Sequence, residues 1–123
     1  MLNMIPTNDK KLLDELSYAI FSRPYSGAVG YIFYAGEKPV GFASLDVGST
    51  SVIKAIGVVP SARRKGYGDF FTRSILFRLA QISKEIRVAY VSGYYNKFGF
   101  KKDGAEMTLE SVNLKFDSKC AHC

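Results

Sequence analysis

Val58-Val59-Pro60-Ser61-Ala62-Arg63-Arg64-Lys65-Gly66-Tyr67-Gly68 is the stretch that decides how this 123-residue chain folds. An apolar, β-branched run leads into it, and Phe71, Ile75, Leu79 and Ile82 follow it at near-helical spacing. A strand therefore ends here, two glycines turn the chain, and a helix N-terminus is left facing outward. The first N–H groups of a helix have no partner within it, and the macrodipole adds partial positive charge at the same end. Arg63, Arg64 and Lys65 bring three cations to that place. Such a combination binds a phosphate-bearing ligand; the plainer alternative is a solvated basic turn.

Two well-known phosphate loops are excluded. A Walker loop needs glycine, four residues, then Gly-Lys-Ser/Thr, which the chain lacks. A dinucleotide loop needs a third glycine three residues after the second, where Phe71 stands. Val58, Pro60, Arg63, Gly66 and Gly68 instead spell Val-x-Pro-x-x-Arg-x-x-Gly-x-Gly, which resembles the signature of the GCN5-related N-acetyltransferases (GNATs). Tyr94-Tyr95-Asn96-Lys97-Phe98-Gly99-Phe100 is similar to a second element of that family, Phe-Tyr-x-Lys-x-Gly-Phe, with Tyr94 in place of the phenylalanine. Read locally, this segment is an aromatic helical turn closed by a glycine cap before a strand. The two elements stand in the family's order, with one helix and one strand between them, and the resemblance covers residues 32–114.

The resemblance implies an acetyl-CoA-dependent N-acetyltransferase, an acyltransferase that uses acetyl-CoA as co-substrate and no metal. The acceptor amine would attack the thioester directly. The strand ending at Val58 would splay from a strand over 86–91 to admit the pantetheine arm, and the Val58 amide would face the thioester oxygen, where charge grows. The motif carries over Val58, Arg63, Arg64, Lys65, Gly66, Tyr67 and Gly68 as coenzyme-binding positions. Tyr95 aligns with the family's tyrosine, the acid that protonates the leaving thiolate. A phenol with a pKa of about 10 can donate to a thiolate whose acid has a pKa of about 8.5. Core packing with a surface hydroxyl is the alternative for Tyr95, and Tyr94 is the neighbour able to take either role.

Many family members carry a glutamate on the strand before the glycine loop. Here Ser51-Val52-Ile53-Lys54-Ala55-Ile56 has no acid, and Asp46 on the preceding strand is the nearest one. That absence supports a reading from another class: a catalytically silent acyl-CoA-binding or regulatory module on the same scaffold. Gly57 has two readings as well, a bulge that widens the splay or relief of packing against the following helix.

The net charge of +6 is unevenly spread, with Arg63, Arg64 and Lys65 at the glycine loop and Lys97, Lys101 and Lys102 around the second element. A ligand bearing a pyrophosphate and a 3′-phosphate accounts for such a basic mouth. Base-reading motifs are not evident, so nucleic acid is a minor reading beside a small-molecule or peptide amine. The length fits one domain over residues 1–123. Although 47% of the residues are apolar, no run is long enough to cross a bilayer, and Met1 to Pro6 lacks a signal peptide's basic start. The expected compartment is the cytoplasm. Cys120, His122 and Cys123 supply three ligands where a structural zinc site wants four, so no metal is expected and residues 117–123 read as a flexible, reduced tail.

Around these motifs the pattern gives an α/β fold. Thr7, Asn8 or Asp9 caps a helix running to Phe21, with Leu12, Leu13, Leu16, Ala19 and Ile20 on its apolar face. Strands over 31–35, 40–47 and 51–59 form an antiparallel meander. A helix spans 68–83, then come the strand 86–91, the aromatic turn, and a hairpin of 100–102 and 105–114 turning at Asp103-Gly104. The outcome is a GNAT-like mixed, mostly antiparallel sheet with flanking helices. Its first strand and helix region is shortened: one clear helix precedes Tyr31 where the family usually has two, and Leu2 to Ile5 is a vestigial strand. That shortening opens the acceptor side or leaves it to a second subunit. Together with exposed aromatics such as Tyr25 and Tyr31, it motivates a homodimer.

Overall fold

Asp9 starts the first helix. Its carboxylate accepts a hydrogen bond from the Leu12 amide at 3.1 Å, satisfying one of the orphan N–H groups, and α1 runs over Lys10–Phe21. This and the elements below come from a computed structural model that describes residues 1–90 and 93–115. In chain order the others are β1 (Leu2–Thr7), β2 (Val29–Ala35), β3 (Lys38–Asp46), β4 (Thr50–Val58), α2 (Tyr67–Ile82), β5 (Glu85–Ala89), β6 (Lys101–Asp103) and β7 (Glu106–Glu110). Short 3-10 turns cover Pro60–Ala62, Gly93–Phe98 and Ser111–Asn113.

The strands form one seven-stranded sheet in the order β1-β2-β3-β4-β5-β7-β6. β1 to β4 are an antiparallel meander, β4 and β5 pair in parallel across α2, and the β6–β7 hairpin returns antiparallel beside β5. The mixed, mostly antiparallel sheet is the expected one. β1 is not vestigial, however: all six of its residues pair with β2, from Leu2 opposite Ala35 to Thr7 opposite Gly30. Pro6 fits within it because β1 is an edge strand, which tolerates a residue with no N–H to donate. The shortening falls on the helices alone, with α1 the one helix between β1 and β2.

Each face of the sheet packs one helix. α1 covers Ile32 and Phe42 with Leu13 and Leu16, whereas α2 buries Phe71, Ile75, Leu76 and Leu79 against Phe33, Ala43, Leu45, Ile53 and Ile86. Phe33 and Phe71 stack with their ring centres 4.2 Å apart, a pairing worth about 0.5–1.5 kcal/mol beyond the area it buries. Two apolar positions expected inside are outside: Ala19 is exposed, and Ile82, at the last turn of α2, is 56% exposed. Ser17 takes the inward place on α1, because its hydroxyl donates to the Arg23 carbonyl at 2.7 Å and costs little to bury. Tyr25 and Tyr31 are half-buried, packed on the α1 and α2 clusters respectively, so neither supplies an exposed aromatic patch.

β4 carries the feature that positions the site. Ser44 pairs with Ala55 but Leu45 pairs with Ile53, so Lys54 is an extra residue on β4, a bulge. The bulge shifts the alternation by one, and Ile56 and Val58 join Ile53 on the α2 face while Ala55 packs toward α1. Gly57, by contrast, pairs regularly with Phe42. A Cβ there would lie 3.0 Å from Ile20 Cγ2 and 3.2 Å from the Phe21 ring, so this glycine makes room for the preceding helix α1, not the following one. The β6–β7 turn is Gly104-Ala105, one residue later than expected, with Gly104 at a φ of 66°.

Candidate functional site

The parallel pairing of β4 and β5 covers the first part of β4 alone, from Thr50 opposite Glu85 to Ile53 opposite Val88. That end is pinned: Ser51 and Ser83 share a buried hydroxyl–hydroxyl bond of 2.6 Å, Ser83 donates to the Gly48 carbonyl at 2.7 Å, and the Lys84 amide reaches Ser49 at 2.7 Å. Beyond the Lys54 bulge the strands part. The Val59 amide donates to the Val40 carbonyl at 2.8 Å, so Val59 faces β3; backbone groups alternate along a strand, which turns those of Val58 toward the gap. Arg63 Nε donates to the Val58 carbonyl at 3.2 Å, confirming the direction and fixing Arg63 at the mouth.

Two cavities meet across this opening. One of about 540 Å³ lies on the α2 side, lined by Val58, Arg63, Gly68, Asp69, Tyr94 and Tyr95 among others. A second of about 180 Å³ lies toward α1, with Phe21, Arg23, Lys54 and Val88 on its walls. Ile56 and Tyr95 line both.

The glycine loop delivers the helix N-terminus to the larger cavity. Pro60–Ala62 makes a tight turn, Arg64 follows at a φ of 67° and Gly66 at 79°, and α2 begins at Tyr67. A left-handed arginine costs about 1–2 kcal/mol, and left-handed residues in a short turn make successive amides converge on a concavity that accepts an anion. No side chain caps this helix end. Gly68 sits inside the first turn, and a Cβ there would meet nothing within 4 Å. Glycine costs a helix about 1 kcal/mol relative to alanine, and nothing within the described chain requires it at this position. The cradle is shaped for something that approaches from outside.

The second motif closes the other wall. Phe98 and Phe100 are buried, and Tyr95 packs on them with ring centres 6.1 and 5.3 Å away. Gly99, at a φ of 105°, donates to the Asn96 carbonyl at 3.0 Å; a Cβ there would lie 2.7 Å from the Asn113 carbonyl oxygen. The glycine-closed aromatic turn is thus as read from the sequence. Burial pushes the Tyr95 phenol up to about 12.

Asp69, which the sequence reading passed over, ties the two motifs together. Its Oδ1 accepts from Lys97 Nζ at 2.6 Å and from the Tyr94 hydroxyl at 2.9 Å, and its Oδ2 accepts from Arg73 Nε at 2.7 Å. Burial opposes its ionisation, but the bonds from Lys97, Arg73 and Tyr94 prevail and hold its carboxyl down at about 2. Burial first, and the bond to Asp69 second, push Tyr94 up. Lys97 Nζ also lies 4.4 Å from the Tyr94 ring centre. From sequence an acid in the first turn of a helix reads as a complement to the dipole and as an i,i+4 partner of Arg73; Tyr94 and Lys97, 25 and 28 residues away, leave no local signal.

Of the residues singled out beforehand, Val58, Arg63, Gly68 and Tyr95 come together on the larger cavity. Arg64, Lys65 and Gly66 are exposed at the loop beside it, and Tyr67 is half-buried, with Lys65 Nζ 5.9 Å from its ring centre. Asp46 lines neither cavity; its two oxygens take the Ala28 amide at 3.1 Å and Lys54 at 3.7 Å. Cys120, His122 and Cys123 lie outside the described residues. Among the described residues no helix is long and apolar enough to cross a membrane, and no three metal-ligating side chains cluster.

No protein-family model matches the sequence, and no curated protein is similar to it. Solved structures are similar. The ribosomal-protein-S18-alanine N-acetyltransferase of Escherichia coli superposes with a TM-score of 0.76 at 16% identity, over 94% of this chain and 100% of that one. A GNAT family acetyltransferase from Brucella melitensis in complex with acetyl-CoA gives 0.73 at 15% identity, over 89% and 88%. Naa50 of Arabidopsis thaliana, in complex with the bisubstrate analogue CoA-Ac-MVNAL, gives 0.69 at 17%, over 89% and 98%. The resemblance read from two short motifs therefore holds across the architecture, and the chain has the GNAT acetyltransferase fold.

Proposed function

We propose that this chain is an acetyl-CoA-dependent N-acetyltransferase that passes an acetyl group to an amine by direct attack. The observation that carries the reading is the unpaired outer edge of β4 beyond Lys54, set beside an uncapped, glycine-lined helix N-terminus. An extended pantetheine arm suits such an edge, since it offers amide groups to the backbone of Val58 as a strand would. The α2 N-terminus with Arg63, Arg64 and Lys65 suits the pyrophosphate, and the open space over Gly68 lets that group approach the backbone closely. The structural neighbours from Brucella melitensis and Arabidopsis thaliana hold acetyl-CoA and a coenzyme A bisubstrate analogue, which supports the same ligand here.

Each side chain then has a task. The Val58 amide faces the thioester oxygen and stabilises the charge that grows there. Tyr95, common to both cavities, donates its proton to the departing thiolate. Burial makes this phenol a weaker acid, and the same apolar surroundings raise the proton affinity of the departing thiolate, which offsets that loss.

Acetyl-CoA should raise the melting temperature in a saturable manner, as any ligand selective for the folded state must. Gly66→Val, which forces a β-branched residue to a φ of 79°, should remove that shift, while circular dichroism stays native. Wild-type protein that shows no shift overturns the reading. A shift without thiol release across an amine panel selects the silent binding module instead.

A further inference from the structure

Among the described residues, the α1-side cavity has cations and no acid on its walls. Among its described lining residues Arg23 and Lys54 carry the charge, set between apolar Phe21, Ile53 and Val88. The Arg23 guanidinium lies 5.3 Å from the Phe21 ring centre, which holds it at the rim. Lys54, pushed outward by the bulge, has one long contact of 3.7 Å with Asp46, whose other oxygen is taken by the Ala28 amide. Asp46 therefore offsets part of one charge from a position off the cavity wall, and the mouth stays positive.

If the acetyl-transfer reading stands, this cavity faces the acceptor, because it meets the larger one at Tyr95. The attacking nitrogen must be neutral. At pH 7 an ε-amine with a pKa of about 10.4 is neutral in ~0.04% of molecules, whereas a chain-terminal α-amine with a pKa of about 7.7–8.0 is neutral in roughly 10–17%, a several-hundred-fold advantage. A strongly basic amine needs a carboxylate nearby to draw off its proton, and the described walls offer none. Two cations repel the ammonium form and favour the neutral one. They also give a partner to any carboxylate that accompanies the amine.

We propose that the acceptor is the N-terminal α-amine of a peptide with Asp or Glu among its first residues, the carboxylate lying between Arg23 and Lys54. The neutral nitrogen attacks the thioester carbon; the C–N bond forms and the C–S bond breaks. The nitrogen gives its surplus proton to water, and the thiolate takes one from Tyr95, which water restores.

The test measures thiol release from acetyl-CoA with four acceptors at equal concentration: an Ala-Glu-Glu peptide, an Ala-Lys-Lys peptide, free glutamate and spermidine. The acidic peptide should exceed the basic one by about tenfold at low salt, the scale of two exposed charge pairs gained against two repulsions avoided. The gap should narrow as salt screens both. The double variant Arg23→Glu, Lys54→Glu should reverse the order of the two peptides and keep the wild-type melting shift with acetyl-CoA. Equal or better turnover of the basic peptide, of glutamate or of spermidine overturns the proposal, as does an unchanged order in the double variant or turnover of none of the four. Where another acceptor turns over or the order is unchanged, a retained acetyl-CoA shift shows that the acceptor assignment alone has failed. A retained shift with turnover of none selects the silent binding module, and loss of the wild-type shift removes the underlying reading and the acceptor with it.

Discussion

On the α2 side of the cleft the charges are tied to one another, and on the α1 side they stand apart. Asp69 holds Lys97, Arg73 and Tyr94 at 2.6, 2.7 and 2.9 Å, which joins the first turn of α2 to the segment carrying Tyr95. Arg23 has an aromatic ring beneath it and Lys54 one contact at 3.7 Å. A ligand met by the first wall finds groups already fixed, as a common co-substrate and a reacting centre require. A ligand met by the second finds charges with few partners of their own, which select by sign rather than by shape. Changes on the two sides should therefore be separable, the first acting on turnover and the second on the choice and affinity of the acceptor.

The largest effect expected from a change on the fixed side is that of Tyr95→Phe. It keeps the ring contacts with Phe98 and Phe100 and removes the proton, so turnover should fall by about 10²–10⁴-fold while the acetyl-CoA melting shift is retained. With the phenol near 12, the wild-type rate should rise as the acceptor amine deprotonates and then stay level to beyond pH 10. A fall below that pH, or full turnover in Tyr95→Phe, assigns the proton to another donor. Tyr94→Phe should do much less.

The comparison also separates what the sequence disclosed from what it did not. The glycine loop was legible because Arg63, Gly66 and Gly68 stand at a recognisable spacing and none of them is spent on the core: Arg63 and Gly66 are exposed, and a Cβ at Gly68 would meet nothing within 4 Å. The bulge that opens the cleft left no trace, since Lys54 is an ordinary exposed residue midway along β4, while Gly57 drew attention three residues too late. Its glycine answers to Ile20 and Phe21 instead. Ala19 and Ile82 were placed inside because periodicity counts apolar side chains and not the width of the face that the sheet covers. Asp69 escaped for the opposite reason, as a charge that also bonds Tyr94 and Lys97, both distant in sequence.

A smaller effect is expected at that carboxylate. Asp69→Ala leaves Lys97, Arg73 and Tyr94 without their common acceptor, and the segment over 93–98 loses one anchor to α2. A shift of the reacting groups by a fraction of an ångström should lower turnover by about tenfold, against a much smaller change in the acetyl-CoA melting shift. Its folded-state carboxyl is depressed from 3.8 to about 2, so the stability it contributes is present above pH 3.8 and is lost as the pH falls toward 2. Discounted for a side chain 38% exposed, that contribution is about 1 kcal/mol. Melting curves of wild type and Asp69→Ala should therefore converge between pH 4 and pH 2. Curves that keep a constant separation over that range, or a variant with unchanged turnover, mean that Asp69 does not brace the site.

Gly57→Ala should have the smallest effect, and it acts on the other side. Its backbone lines the larger cavity, but an added methyl points away from it, to 3.0 Å from Ile20 Cγ2 and 3.2 Å from the Phe21 ring. Both neighbours are ends of side chains on the last turn of α1, able to retreat by a few tenths of an ångström, and such overpacking costs about 1 kcal/mol. For a chain of this size that lowers the melting temperature by roughly 4 °C. Because Phe21 also walls the smaller cavity beneath Arg23, the retreat moves the acceptor side and leaves Val58 and the glycine loop in place. The Michaelis constant for the acceptor should rise a few-fold, with turnover at saturation and the acetyl-CoA melting shift unchanged. A loss of turnover at saturating acceptor would mean instead that the two sides of the cleft move together, and that the fixed wall depends on the seating of α1.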